Sequence, residues 1–327
     1  MTETAAPQGL LHAILLDGSG GCLRLPWQDV GNWQAEQGYL WLHFHFEETE
    51  TRDWLEHESG LNDIAVAALI TDETRPRTLN RGDNLLLALR GVNLSPGDDP
   101  EDMVSLRLWT DGQRLISTRR RQLVSTQDVI EELEAGNGPR NAAELLVTWI
   151  DRVVLRMNDT IEQLEDEVLA LEERVLGGET SGLRVQIAQL RKKTISLRRY
   201  LAPQREAMNR LASENLSWLD EINRLRLRET NDRQMRYIED VDEIRDRAAL
   251  AQEELFTRVS EQMNERSYIF TVVATIFLPL GFFTGLMGIN VAGMPGVENS
   301  SAFWIVVAVC LGLTAALALV FRCKRWL

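Results

Sequence analysis

Hydrophobic and polar positions change their period three times along this chain. Near the amino terminus, apolar runs at 10–16 and 84–90 have the length of strands. The stretch SLRLWTDGQRLIST at 105–118 places Asp111 and Gly112 where a tight hairpin turn takes its special backbone angles. In YLWLHFHFEE at 39–48, strict alternation sets Leu40, Leu42, Phe44 and Phe46 on one strand face and Trp41, His43, His45 and Glu47 on the other. A helical segment near 127–134 then runs into the breaker cluster GNGPRN at 136–141, read as the end of a mixed α/β domain.

Beyond it the period becomes helical. Between 150 and 175 apolar residues step by threes and fours, and Gly177 and Gly178 stop the pattern. A second stripe holds Leu183, Ile187, Leu190, Leu197 and Leu201, with Pro203 marking a kink or a boundary. From 204 to 278 there is neither Gly nor Pro. If most of that run is one helix, it measures about 100 Å at 1.5 Å per residue. Its middle is densely charged with a thin apolar stripe, which suits a helix buttressed by copies of itself.

The third regime is apolar all round. Residues 268–287 and 302–321 carry no charge, and each is long enough to cross a bilayer as a helix. The loop at 288–301 has no Lys or Arg, whereas Arg258 and Arg266 precede the first span and Arg322, Lys324 and Arg325 follow the second. The positive-inside rule then places both termini in the cytoplasm. The organisation expected is 1–140, a cytoplasmic α/β domain; 141–267, a helical region with a long stalk; and 268–327, a transmembrane hairpin.

Composition sharpens this division. The 327-residue chain has a net charge of −14, yet residues 1–267 carry −16 and the remainder +2. Such acidity argues against nucleic acid as a partner, because phosphate contacts need clustered Lys and Arg, and favours cations. Cys22, Cys310 and Cys323 lie far apart, so neither a disulfide framework nor a thiolate zinc cage is indicated. The segment MTETAAPQG has no basic or apolar core, and no cleaved signal is expected from it. No GxGxxG, Walker glycine loop, HExxH or GxSxG occurs, so an enzyme is not expected and no cofactor is called for.

Candidate chemistry lies on the first span. At coiled-coil spacing, Asn264, Ser267, Thr271, Ala274, Leu278, Gly281, Gly285 and Gly288 form one small or polar face of an otherwise bulky helix. Such a stripe serves close helix packing or, in a ring of copies, lines a narrow aqueous pore with Leu278 as a hydrophobic constriction. A second candidate is the trio His43, His45 and Glu47, two imidazoles and a carboxylate with the chemistry of a zinc sensor. The same pattern also fits a solvated strand face. On the stalk, Asp240, Asp242, Glu243 and Asp246 are expected to collect cations or simply to be solvated beside Arg245 and Arg247.

MGIN at 287–290, at the end of the first span, resembles the GMN signature of the CorA family of divalent-cation transporters, with Ile289 in place of Met. ATIFLPLGFFTGL before it, GMPG after it and the KRWL terminus fit the same family. ETRPR at 73–77, RRYLAPQR at 198–205 and RLASENLSWL at 210–219 resemble its ZntB branch of zinc transporters. The resemblance implies a homopentameric bacterial inner-membrane protein with a cytoplasmic funnel, stalk helices that continue as pore-lining spans, and zinc as the transported ion. Gly288, Ile289 and Asn290 would form the outer filter, with Gly288 permitting a tight turn and the Asn290 amides facing a hydrated cation. Magnesium members usually carry Glu where Gly296 stands here; Glu298 is the nearest substitute. Proton-coupled uptake is associated with the branch, yet 267–297 contains no Asp, Glu, His, Lys or Arg. A magnesium- or cobalt-type channel and a non-conducting membrane-anchored sensor are the alternatives.

Overall fold

The computed structural model describes residues 6–72, 75–289 and 300–323. The chain forms two compact units, Met1–Glu253 and Glu254–Leu327.

The first unit is built on a seven-stranded sheet. Along the chain come β1 (Leu10–Leu16), β2 (Cys22–Arg24), the short α1 (Trp27–Val30), β3 (Tyr39–His45), α2 (Thr49–His57), α3 (Asp63–Ile70), β4 (Arg77–Arg81), β5 (Asn84–Gly91), β6 (Val104–Thr110) and β7 (Arg114–Arg119). The strand order is β2-β1-β3-β7-β6-β5-β4. Neighbours are antiparallel except β3 and β7, which run parallel with His43 opposite Ser117. The expected hairpin joins β6 to β7. Gly112 has φ +86°, and the Asp111 carboxylate accepts the backbone N–H groups of Gln113 and Arg114.

The helices follow as α4 (Val124–Glu134), α5 (Ala142–Leu155), α6 (Asn158–Leu176), α7 (Leu183–Ser213), α8 (Glu221–Met287) and α9 (Ala302–Cys323). The breaker cluster at 136–141 separates α4 from α5 inside one compact unit, and its last residue caps α5: Asn141 Oδ1 accepts from the Glu144 N–H at 2.9 Å. The apolar stepping between 150 and 175 is split between two helices. A tightened turn at Arg156 and Met157 divides them, where Arg156 reaches Asp128 of α4 with two short hydrogen bonds. Pro203 lies inside α7 without ending it. The long helix begins after a break at 214–220, where Asp220 Oδ1 accepts the N–H of Asn223. Its 67 residues correspond to about 100 Å.

Both faces of the sheet are covered. Leu40, Leu42 and Phe44 pack with Leu55 of α2 and Val66 and Leu69 of α3. On the other face Trp149 of α5 meets Trp41 at 4.8 Å between ring centroids and is fully buried. Each such ring removed from water contributes roughly 1.5–3 kcal/mol. The loop between α7 and α8 is pinned to two hairpins at once. Trp218 Nε1 donates to the Asp83 carbonyl at 2.8 Å, and a Cβ at Gly112 would sit 2.4 Å from the Trp218 ring. A glycine is therefore required at 112 by contact as well as by backbone angle.

The second unit holds the end of α8 and all of α9. Both helices are long and apolar enough to cross a membrane, as the charge-free runs predicted. Each carries one half-covered stripe at helical spacing: Val272, Ile276, Leu280 and Phe283 on α8; Val306, Cys310, Leu313 and Leu317 on α9.

Candidate functional site

Within α8 the small and polar residues share one face because they recur at threes and fours in an unbroken helix. Asn264, Ser267, Thr271, Ala274, Leu278, Gly281, Gly285 and Gly288 are all exposed, and at about 100° per residue their stripe lies roughly opposite the half-covered one. Leu278 is 73% exposed. Ser267, Thr271 and Ala274 border an open groove of about 550 Å³ together with Met263, Arg266 and Phe270.

Two features of this face bear on chemistry. The Thr271 hydroxyl donates to the Ser267 carbonyl at 2.9 Å, as Thr275 does to Thr271 and Thr284 to Leu280. A hydroxyl that spends its proton on its own helix leaves no stranded donor in an apolar medium and turns only lone pairs outward. The second feature concerns the glycines. A Cβ added at Gly281 or Gly285 would meet nothing within 4 Å. Each glycine costs a helix about 1 kcal/mol relative to alanine, and nothing among the described residues occupies the space beside it.

The end of the span is described as far as Ile289. Gly288 is absent from the left-handed glycines, and its N–H still closes the helix on the carbonyls of Thr284 and Gly285 at 3.0 and 3.1 Å. A Cβ there would lie 3.4 Å from the Thr284 oxygen, an ordinary contact. The helix end therefore does not demand glycine for backbone reasons; what distinguishes position 288 is the absence of bulk. Ile289 is exposed. Asn290, Gly296 and Glu298 lie outside the described residues.

The candidate zinc ligands His43, His45 and Glu47 do not bring their ligand atoms within 4.8 Å of one another. His43 is 1% exposed, on a strand face covered by Trp149 rather than by solvent. Its Nδ1 lies 2.8 Å from Ser117 Oγ, which also accepts from Trp41 Nε1 and donates to the Leu42 carbonyl. The other ring nitrogen, Nε2, is buried without a hydrogen-bond partner. Burial first, then Arg119 and His12, hold His43 well below the ordinary histidine range. Glu47 pairs with Arg120 at 2.8 Å. Among the described residues, the one group of three whose ligand atoms gather within 4.8 Å is Asp53, Glu56 and His57, exposed on α2. Its spacing of three and four along a helix was visible in the sequence, although exposed acidic groups of this kind are common without a metal.

The stalk carboxylates are partly neutralised. Asp242 pairs with Arg198 and Arg245, Asp246 with Arg245, and Arg247 reaches Glu172. Asp240 and Glu165 are held above the ordinary carboxylate range, mainly by burial and then by neighbouring acids that include Glu243.

With this geometry in place, the comparisons are decisive about ancestry. The profile of the family described as CorA-like Mg2+ transporter protein matches residues 36–325. This chain belongs to the CorA family. Among its relatives is the divalent cation transporter CmaX of Pseudomonas aeruginosa, 38% identical with 99% of each chain covered. The zinc transport protein ZntB of Yersinia enterocolitica is 33% identical over 97% of this chain and 96% of that protein. The full-length CmaX structure superposes with a TM-score of 0.86, covering 99% of this chain and 100% of that one. The CorA magnesium transporter of Methanocaldococcus jannaschii, at 18% identity, shares the fold with a TM-score of 0.83 over 97% of this chain and 99% of that one. CorA membership accounts for the architecture of a mixed-sheet domain, a long helix and two apolar carboxy-terminal helices.

Proposed function

We propose that the protein carries divalent cations, zinc first among them, across the bacterial inner membrane through a central path formed by a ring of its own copies. The observation that carries this reading is the pair Gly281 and Gly285, whose missing side chains leave space that nothing among the described residues uses. They sit on the one small and polar face of the span, turned away from its half-covered side.

In a homopentamer the stripes of the copies face one axis. Asn264 and Ser267 lie at the cytoplasmic entrance, Thr271 offers hydroxyl lone pairs to the water shell of a cation, Leu278 narrows the path, and Gly288, Ile289 and Asn290 form the outer filter. A ring of neutral amides suits an ion that keeps its waters. Both termini are cytoplasmic, and the acidity of residues 1–267 raises the local concentration of cations. The zinc assignment rests on likeness to ZntB; CmaX is named only for divalent cations. Any coupling to protons runs through water or groups at the ends of the path, since 267–297 offers no Asp, Glu, His, Lys or Arg of its own.

Reconstitution into liposomes loaded with a zinc-sensitive dye tests this reading. Zinc flux that falls on Asn290→Ala supports it, and absence of flux in the unaltered protein contradicts it. The same vesicles with an imposed pH gradient report coupling: equal flux with and without the gradient rejects proton symport.

A further inference from the structure

A cavity of about 500 Å³ lies in the first unit between α7 and the ends of β5, β6 and β7, far in sequence from the ion path. Its walls contain five arginines, an unexpected concentration in a chain whose acids outnumber its bases by 49 to 35.

Arg107 is the central member. It is 2% exposed and stacks over Phe46 at 4.8 Å. One guanidinium nitrogen donates to the Asp72 carbonyl at 2.6 Å, while Nε and Nη1 are buried without any partner. Two unmet donors on a buried cation are costly and call for an acceptor. Among the described residues no carboxylate meets them. Of the two acids in the wall, Asp102 is bound to Arg121 at 2.7 Å and Asp72 lies 4.0 Å from Arg120. Arg199 donates to the Tyr200 hydroxyl, and the same tyrosine ring is flanked by the guanidinium groups of Arg90 and Arg199 at 4.6 and 4.8 Å. With two guanidinium groups already against it, Tyr200 is not a free platform for a nucleobase. Among the described residues five arginines and two aspartates line the cavity, with Glu47 paired to Arg120 at 2.8 Å.

We propose that this cavity is a binding site for a small multivalent phosphate-class oxyanion such as pyrophosphate. Planar guanidinium forks fit phosphoryl oxygens in pairs, and a single chloride or carboxylate could not meet donors spread over sheet and helix. Burial lowers Arg107 to about 10, so it is still a cation at neutral pH. The occupant would join β6 and β7 to α7, and its binding would stabilise the first unit as a whole.

The test uses the full chain in detergent, with pyrophosphate and orthophosphate as probes and chloride at matched ionic strength as comparator. Thermal unfolding and titration calorimetry are the readouts. The expected result is saturable binding of pyrophosphate, weaker binding of orthophosphate and no matching shift with chloride. Arg107→Gln should weaken pyrophosphate binding by about tenfold or more. Because Arg107 is a core residue, two further variants protect the test from a folding failure. Arg121→Gln alters a half-buried wall residue and should weaken binding, and Ser105→Asp puts a carboxylate into the cavity and should abolish it. An equal response to chloride and pyrophosphate, or undiminished binding in Arg121→Gln and Ser105→Asp, overturns the proposal.

Discussion

The Thr271 hydroxyl donates to the Ser267 carbonyl 2.9 Å away, one helical turn back on the same exposed stripe of α8. The bond decides which way this polar group can act. Its proton is committed to the helix, so toward the proposed axis it is an acceptor only, the polarity that a cation and its waters require. Thr271→Val keeps the shape and removes the lone pairs, whereas Thr271→Ser keeps them. Zinc flux into dye-loaded liposomes should fall several-fold in the first and stay near the unaltered rate in the second.

Gly281 and Gly285 separate what the chain needs from what the assembly needs. Either can accept a Cβ that meets no described atom within 4 Å, and alanine would favour the helix by about 1 kcal/mol. Gly281→Leu should therefore leave the helical circular-dichroism signal and expression intact while suppressing flux. A loss of folded protein would show that the glycine serves the single chain.

His43 gives the first unit an acid limit. Its proton affinity is depressed in the folded chain by burial, Arg119 and His12, and His12 itself is lowered in the same direction. Below the ordinary histidine value of about 6.5 the unfolded chain takes up protons that the folded chain refuses, so stability is complete above that pH and declines below it. His43→Gln, which removes the titrating ring but keeps a polar group near Ser117, should flatten the fall in melting temperature between about pH 7 and pH 5. An unchanged slope would place the acid sensitivity elsewhere.

Asp240 behaves in the opposite sense. Its carboxyl is raised by burial and by Glu243 and Glu239, so the folded state holds a proton more tightly than the unfolded one. Stability from this group is complete at acidic pH and lost as pH rises through the raised value. Asp240→Asn should raise the melting temperature at pH 8 and have little effect near pH 4. Glu165→Gln on α6 should act in the same direction, since Asp240 is among the charges that raise Glu165.

Local signals in the sequence identified local structure well. The charge-free runs are the apolar ends of α8 and α9, the Gly- and Pro-free stretch is mostly α8, and Asp111 and Gly112 turn β6 into β7. What escaped the sequence depended on distant partners. Alternation in β3 assigned His43 to a face of its own, but only the fold brings Trp149 of α5 over that face and makes it core. The arginine cavity draws Arg90, Arg107, Arg120, Arg121 and Arg199 from separate elements, and no spacing rule joins them. The division of α5 from α6 turns on Arg156 reaching Asp128, again a contact across elements. For the candidate path the small-residue stripe was readable throughout, yet its position opposite the half-covered face of α8 required both helices.

The central claim is that the stripe from Asn264 to Gly288 faces a water-filled path, and accessibility measures it directly. In a background with Cys22, Cys310 and Cys323 replaced, single cysteines at Thr271, Ala274 and Leu278 are compared with cysteines at Phe270, Phe277 and Phe282 on the bulky faces. A charged, membrane-impermeant thiol reagent should label the stripe positions and block zinc flux, and should leave the phenylalanine positions unlabelled and conducting. Flux that persists after the stripe is fully labelled, or labelling without preference between the two faces, would contradict the account.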